Sequence, residues 1–211
     1  GVGGGLGAGY LGQPRAASGG TATPLPATSP SVPVDPPPTI APYAPDIDYP
    51  PLAAGLTFGK QLMGNSSQSW IVPVPHGWQA YTVPGDEPVP RKERSGYDEL
   101  RFRPADEPVE GGYSLRAKTV NAHQTPASMA TSKISLLRDL TDVTYIRTTE
   151  NTIRFTYRTA GNHLRYNYFH WFAAPGSSEV TLEMSVVGRE RDVPGLDDLF
   201  AAFDSTLEPG S

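Results

Sequence analysis

Proline is spread so unevenly along this chain that it decides what each part can become: 12 of the 23 prolines precede residue 56. Each one removes a backbone donor and fixes φ, so a dense run cannot build a helix interior or a central strand and favours extended polyproline II geometry. The residues between these prolines are mainly Ala, Ser, Thr and Gly, which bury too little apolar surface to offset chain entropy. Residues 13–55 therefore read as a disordered Pro/Ala/Thr-rich linker, with PPPTIAP a spacer rather than a docking peptide. A globular domain is expected over 56–211.

The first twelve residues, GVGGGLGAGYLG, contain GAGYLG, which spells the dinucleotide fingerprint G-x-G-x-x-G. A working fingerprint follows a strand, opens a helix and has an acidic residue about 20 positions on. None of these is present here. The uncharged run, with Gly1, Gly5 and Gly9 four apart and Tyr10 and Arg15 at its end, suits the last turns of a membrane anchor or leader. Twelve residues do not span a bilayer, so residues 1–12 are expected to be a remnant of such a segment.

Taking Arg15, Asp35, Asp46 and Asp48 from the 17 basic and 22 acidic residues leaves 16 and 19 for the globular part. A mildly acidic domain is a poor general partner for nucleic acid, which needs a basic surplus. With no cysteine there is no disulfide, thiolate metal site, thiol nucleophile or lipid-modified cysteine.

Beyond residue 55 short alternating runs broken by turn residues predict strands at 70–75, 78–83, 99–103, 112–120, 143–147, 152–158, 163–172 and 179–187. Thr125-Pro126 is a helix start, a capping threonine before a first-turn proline, and predicts a helix to about residue 140. Leu196, Leu199, Phe200, Phe203 and Leu207 repeat at helical spacing and predict a second helix over 195–207. Asp197 and Asp198 fall in its first turn, where the helix dipole favours negative charge. The expected class is α+β, an antiparallel sheet of about six to seven strands packed with two main helices.

VPHGWQAY, TENTIRFTYR, NHLRYNYFHWFAA, VTLEMSV and the closing LDDLFAAFDSTLEP resemble the PsbP/Mog1-like domains of actinobacterial envelope proteins, over about residues 65–208. The resemblance implies an α/β/α sandwich acting as a non-enzymatic accessory or binding module, outside the cytoplasm and associated with the cell membrane or envelope. The lack of cysteine departs from the lipoprotein members and favours a helix anchor.

Chemistry is sparse. His76, His123, His163 and His170 show no metal-ligand spacing, and there is no G-x-S-x-G elbow. No cofactor, no metal and no enzymatic activity are expected. Asn65-Ser66-Ser67 spells a glycosylation acceptor, a frequent chance match. One pattern stands out, basic residues alternating with apolar ones in four strands: Arg101 and Arg103, Arg116 and Lys118, Arg154 and Arg158, and Arg165. Period-two alternation predicts that these share one sheet face, with Trp171 as an aromatic anchor. Such a face is either balanced by Glu179 and Glu183 or docks an envelope protein or anionic envelope component. The alternative is a carrier of an apolar ligand or lipid, with a pocket between helix and sheet lined by Tyr113, Phe155, Tyr157 and Tyr166.

Overall fold

The computed structural model describes residues 40–65, 67–108 and 111–210. In chain order the elements are β1 (Phe58–Gly64), β2 (Ser69–Pro75), β3 (Gln79–Thr82), β4 (Pro88–Val89), β5 (Glu99–Arg103), β6 (Ser114–Thr119), α1 (Pro126–Leu137), β7 (Thr141–Thr148), β8 (Thr152–Arg158), β9 (Leu164–Ala173), β10 (Val180–Gly188), α2 (Val193–Thr206) and β11 (Glu208–Pro209). The class is α+β. An eight-stranded antiparallel sheet runs β4-β3-β5-β6-β10-β9-β8-β7, and a second sheet runs β1-β2-β11. The count exceeds the six to seven strands expected, because β1, β4 and β11 carry little alternation: FGKQLMG in β1 interrupts its apolar residues with Gly59, Lys60 and Gln61.

Thr125 caps α1, its side chain accepting from the Ser128 amide at 3.3 Å, and Pro126 occupies the first turn, where its missing donor costs nothing. Each helix covers a different face of the large sheet. Leu196, Leu199, Phe200 and Phe203 of α2, with Met63, Trp70, Val72 and Val74 of the small sheet, pack on Leu100, Phe102, Leu115, Tyr168 and Met184. On the other face Ala130 and Leu137 of α1 cover Ile153, Phe155, Phe169 and Trp171. The second helix is long enough for its face; α1 reaches only part of the other, and the rest stays open.

The predicted linker ends earlier than residue 55, since residues 41–55 are laid along the domain. The reason lies in the proline chemistry itself. A segment short of donors still offers carbonyls, and arginine is a donor-only side chain that can take them up. Arg158 Nη1 donates to the Ala41 carbonyl at 3.0 Å, Asn162 Nδ2 to Pro42 at 2.8 Å, and Arg189 Nη2 to Pro50 at 3.1 Å. Arg191 donates to Ile47, and Leu52 is buried against α2. Its amide donates to Asp192 at 2.9 Å, and the Gly55 amide to Asp198 at 2.5 Å. Because α2 starts at Val193, two residues earlier than expected, its first turn holds no acid; Asp192 at the N-cap and Asp198 in the second turn receive this strap instead. The anchor remnant expected at residues 1–12 lies outside the described residues.

Candidate functional site

Strand register settles which side chains share a face. Arg101 pairs with Arg116, Arg116 with Ser185, Ser185 with Phe169 and Phe169 with Ile153, so all five project toward the α1 side. One row on, Ser114 pairs with Val187, Val187 with Asn167 and Asn167 with Phe155; beyond these, Arg165 pairs with Tyr157. The predicted single basic face is therefore split. Arg101, Arg103, Arg116, Lys118 and Arg165 lie on the α1 side. Arg154 and Arg158, in odd register with Tyr157, lie on the other, Arg154 with its guanidinium 4.3 Å over the Phe200 ring. Trp171 is not an exposed anchor: α1 buries it, and its indole donates to Glu183 at 2.9 Å.

Most of the predicted docking cations are already paired. Arg116 bridges Glu99 at 2.6 Å and Glu183 at 2.9 Å, Lys118 lies 3.3 Å from Glu99, Arg103 holds Asp86 at 2.5 Å, Arg154 holds Asp197 at 3.0 Å and Arg158 holds Asp142 at 2.5 Å. Burial opposes the Glu99 charge, yet Arg116 and Lys118 hold its carboxyl below the usual range. Arg165 holds Asp46 of the strap at 2.6 Å. Arg101 differs: its nearest carboxylate is Asp86, at 3.9 Å, although it stands directly opposite Arg116 across the β5–β6 ladder. Like charges in that position repel unless each is neutralised.

The predicted pocket between helix and sheet does not form from its four residues. Phe155 is buried beneath α1, Tyr166 projects to the α2 face, and Tyr113 packs against Trp78 with ring centroids 5.8 Å apart and tilted planes. Of the four, Tyr157 and the largely buried Tyr113 border open space on the α1 side. The cause is the pairing of Tyr157 with Arg165, which places Tyr166 one residue out of phase.

What the fold does create is a groove of about 540 Å³ on the uncovered part of the sheet, beside α1 rather than under it. Ile47, Pro108, Tyr157 and Val187 supply its apolar walls, Arg101, Arg103 and Arg165 its charged groups, and His163 a further polar side chain. A smaller hollow of about 190 Å³ shares Arg101, Ser114, Tyr157 and Val187 with it and extends to Asn167 and Ser185. Three buried polar atoms bordering these spaces lack hydrogen-bond partners, Arg103 Nε, His163 Nδ1 and Asn167 Oδ1. Volume and lining match the size and mixed polarity of a small-ligand site. Sequence reasoning named Arg101, Arg103, Arg165, Tyr113 and Tyr157 but missed Ser114, Asn167, Ser185 and Val187, which only the β6–β10–β9 register brings together.

A second cleft, of about 370 Å³, lies on the α2 side between Arg147, Arg154, His170, Phe200 and Asp204. Burial pushes the His170 imidazole down to about 4; Asp204, 3.5 Å away, works in the opposite direction. Its Nε2 meets Asn151 Nδ2 at 2.9 Å, while the buried Nδ1 has no hydrogen-bond partner. Among the described residues no group of three or more His, Asp or Glu side chains has a metal-holding arrangement, and no helix is long and apolar enough to cross a membrane.

No protein-family model matches the chain, and no curated protein matches it. Among solved structures, the crystal structure of LpqN, involved in cell envelope biogenesis of Mycobacterium tuberculosis, aligns with a TM-score of 0.44 and 12% identity, covering 73% of this chain and 92% of that one.

Proposed function

We propose that this chain is a non-enzymatic binding module of the bacterial cell envelope. It stands outside the cytoplasm on its Pro-rich N-terminal segment, with a domain of PsbP/Mog1-like type that engages an anionic envelope component. The sequence resemblance and the proline-rich stretch support the envelope placement. The groove on the α1 face supports the binding role, and one observation carries it: an open, partly apolar channel of about 540 Å³ bordered by three arginines. Charge lining a concave, low-dielectric surface attracts ligands of opposite sign.

Co-sedimentation of the full chain with anionic and with neutral vesicles, at low and high salt, tests this reading. Val187 is half-buried on the groove wall, so Val187→Trp fills the channel without entering the core. Binding that needs anionic lipid, weakens with salt and falls at least tenfold in Val187→Trp is the expected result. Equal binding by the two proteins, with melting curves that coincide, would place any contact elsewhere.

A further inference from the structure

Resting on the groove reading above, we propose that the ligand's recognised unit is a hydroxylated oxyanion, a sugar acid or sugar phosphate, with its charge on Arg101 and its hydroxyls over Ser114, Ser185 and Asn167.

The charge assignment follows from what each cation already holds. Arg103 and Arg165 have carboxylates at 2.5 and 2.6 Å, and Arg116 has two within 2.9 Å. The Arg101 side chain, one-third exposed, has its nearest carboxylate at 3.9 Å and faces Arg116 across the strand pair. Around this groove, among the described residues, Arg101, Arg103 and Arg165 meet Asp86 and Asp46, so one positive charge is left over. A single oxyanion on Arg101 cancels it and relieves the cross-strand repulsion.

The polar requirement follows from the neighbouring row. Ser114 and Ser185 are short hydroxyls bordering the hollow, and Asn167 Oδ1 has no donor. A purely apolar acid would leave that oxygen unmet, which costs binding energy, whereas a ring hydroxyl supplies the donor. Tyr157 offers an aromatic face on the same wall, half-buried with its phenol pushed up by burial and held neutral. Oxyanion acceptor, hydroxyl donors and a ring against an aromatic face describe an anionic sugar better than a bare phosphate or a fatty acid.

The test is a chemical-shift titration of the isotope-labelled full chain with glucose 6-phosphate, glucuronate, glucose and inorganic phosphate, and with vesicles bearing phosphatidylinositol to separate a free sugar anion from a lipid headgroup. Saturable shifts at residues 101, 114, 157 and 167 are expected with the two anionic sugars, at least tenfold weaker with glucose or inorganic phosphate, and at least tenfold weaker again for both anionic sugars in Arg101→Gln. Vesicle binding that glucose 6-phosphate displaces identifies the headgroup as a source; vesicle binding it leaves unchanged, or anionic-sugar binding that survives Arg101→Gln, overturns the assignment. Glucose binding in the groove as tightly as its phosphate, lost in Val187→Trp, would overturn this proposal while leaving the groove reading intact. Silence with all probes overturns the proposal too, and the co-sedimentation result then judges the groove by itself.

Discussion

Replacing Arg189 by methionine removes the guanidinium that joins the strap to the domain, and the structure sets the size of the effect. Arg189 is fully buried, with Nε 2.7 Å and Nη2 3.0 Å from the two oxygens of Asp192, and Nη2 3.6 Å from Glu107. It also donates to the carbonyls of Tyr49 and Pro50. Methionine fills similar space but leaves two buried carboxylates without their counter-charge, a class of change that costs about 3–5 kcal/mol. Amide donors from Leu52 and Arg189 to Asp192, and from Tyr113 to Glu107, soften that cost without removing it.

The pH dependence sharpens the prediction. Burial raises the Glu107 carboxyl to about 6 from an ordinary 4.5, with the Tyr113 amide and Arg189 pulling it back. A carboxyl whose folded value lies above its unfolded one favours the protonated fold. Stability from this group is therefore fully present below 4.5 and lost as pH rises through 6, about 2 kcal/mol for a shift of this size. Without Arg189 the Glu107 carboxyl moves further up, so the deficit of Arg189→Met is larger at pH 7.5 than at pH 5. Urea unfolding at the two pH values measures this, and Arg189→Met/Glu107→Gln is expected to recover part of the loss at pH 7.5 by deleting one buried charge. A deficit below about 1 kcal/mol, or one that does not change with pH, would refute the view of Arg189 as the buried counter-charge of this cluster.

His170 gives the opposite slope: its folded value, depressed to about 4, lies below the ordinary 6.5, so its contribution is present above 6.5 and lost as pH falls toward 4. At about 1.4 kcal/mol per unit this amounts to about 3 kcal/mol, and His170→Gln should flatten the acid limb of the urea-derived stability profile. Leu52→Ala should cost about 2–5 kcal/mol by thermal melting, since it empties a buried site on α2. Gly195→Ala should destabilise by about 1–3 kcal/mol, because its new methyl meets the Leu52 side chain. A chain beginning at residue 56 should melt well below one beginning at residue 41, the strap contacts being absent.

How much was legible from the residues differs by element. The bounds of β5 and β8 coincide with the sequence expectation because ELRFR and TIRFTYR alternate cleanly between turn signals. Leu196, Leu199, Phe200 and Phe203 of the α2 stripe are buried as their spacing requires, whereas Leu207 caps the helix end and is only half-buried. The strap was illegible because prolines look like linker wherever no donor is in sight, and the donors that hold it, from Arg158 to Arg191, lie more than 100 positions along the chain. The basic face failed for another reason. Alternation tells which residues of one strand agree with each other but not which face a neighbouring strand matches; only the pairing of Tyr157 with Arg165 and of Arg101 with Arg116 decides that. Pairing with carboxylates on distant elements is equally invisible along the chain, so cations that look free in sequence are spent in the fold.

The central claim, that the α1-side groove is the working surface, is met most directly by two charge reversals of equal size on opposite faces. Arg101→Glu changes the groove, while Arg147→Glu alters the cleft on the α2 side by the same two units of charge. The quantity to measure is the affinity of each protein for anionic vesicles at low salt. Loss of at least tenfold in Arg101→Glu, with Arg147→Glu close to wild type, is the result predicted here. Equal losses would mean that net charge alone governs binding, and would contradict the assignment of the groove.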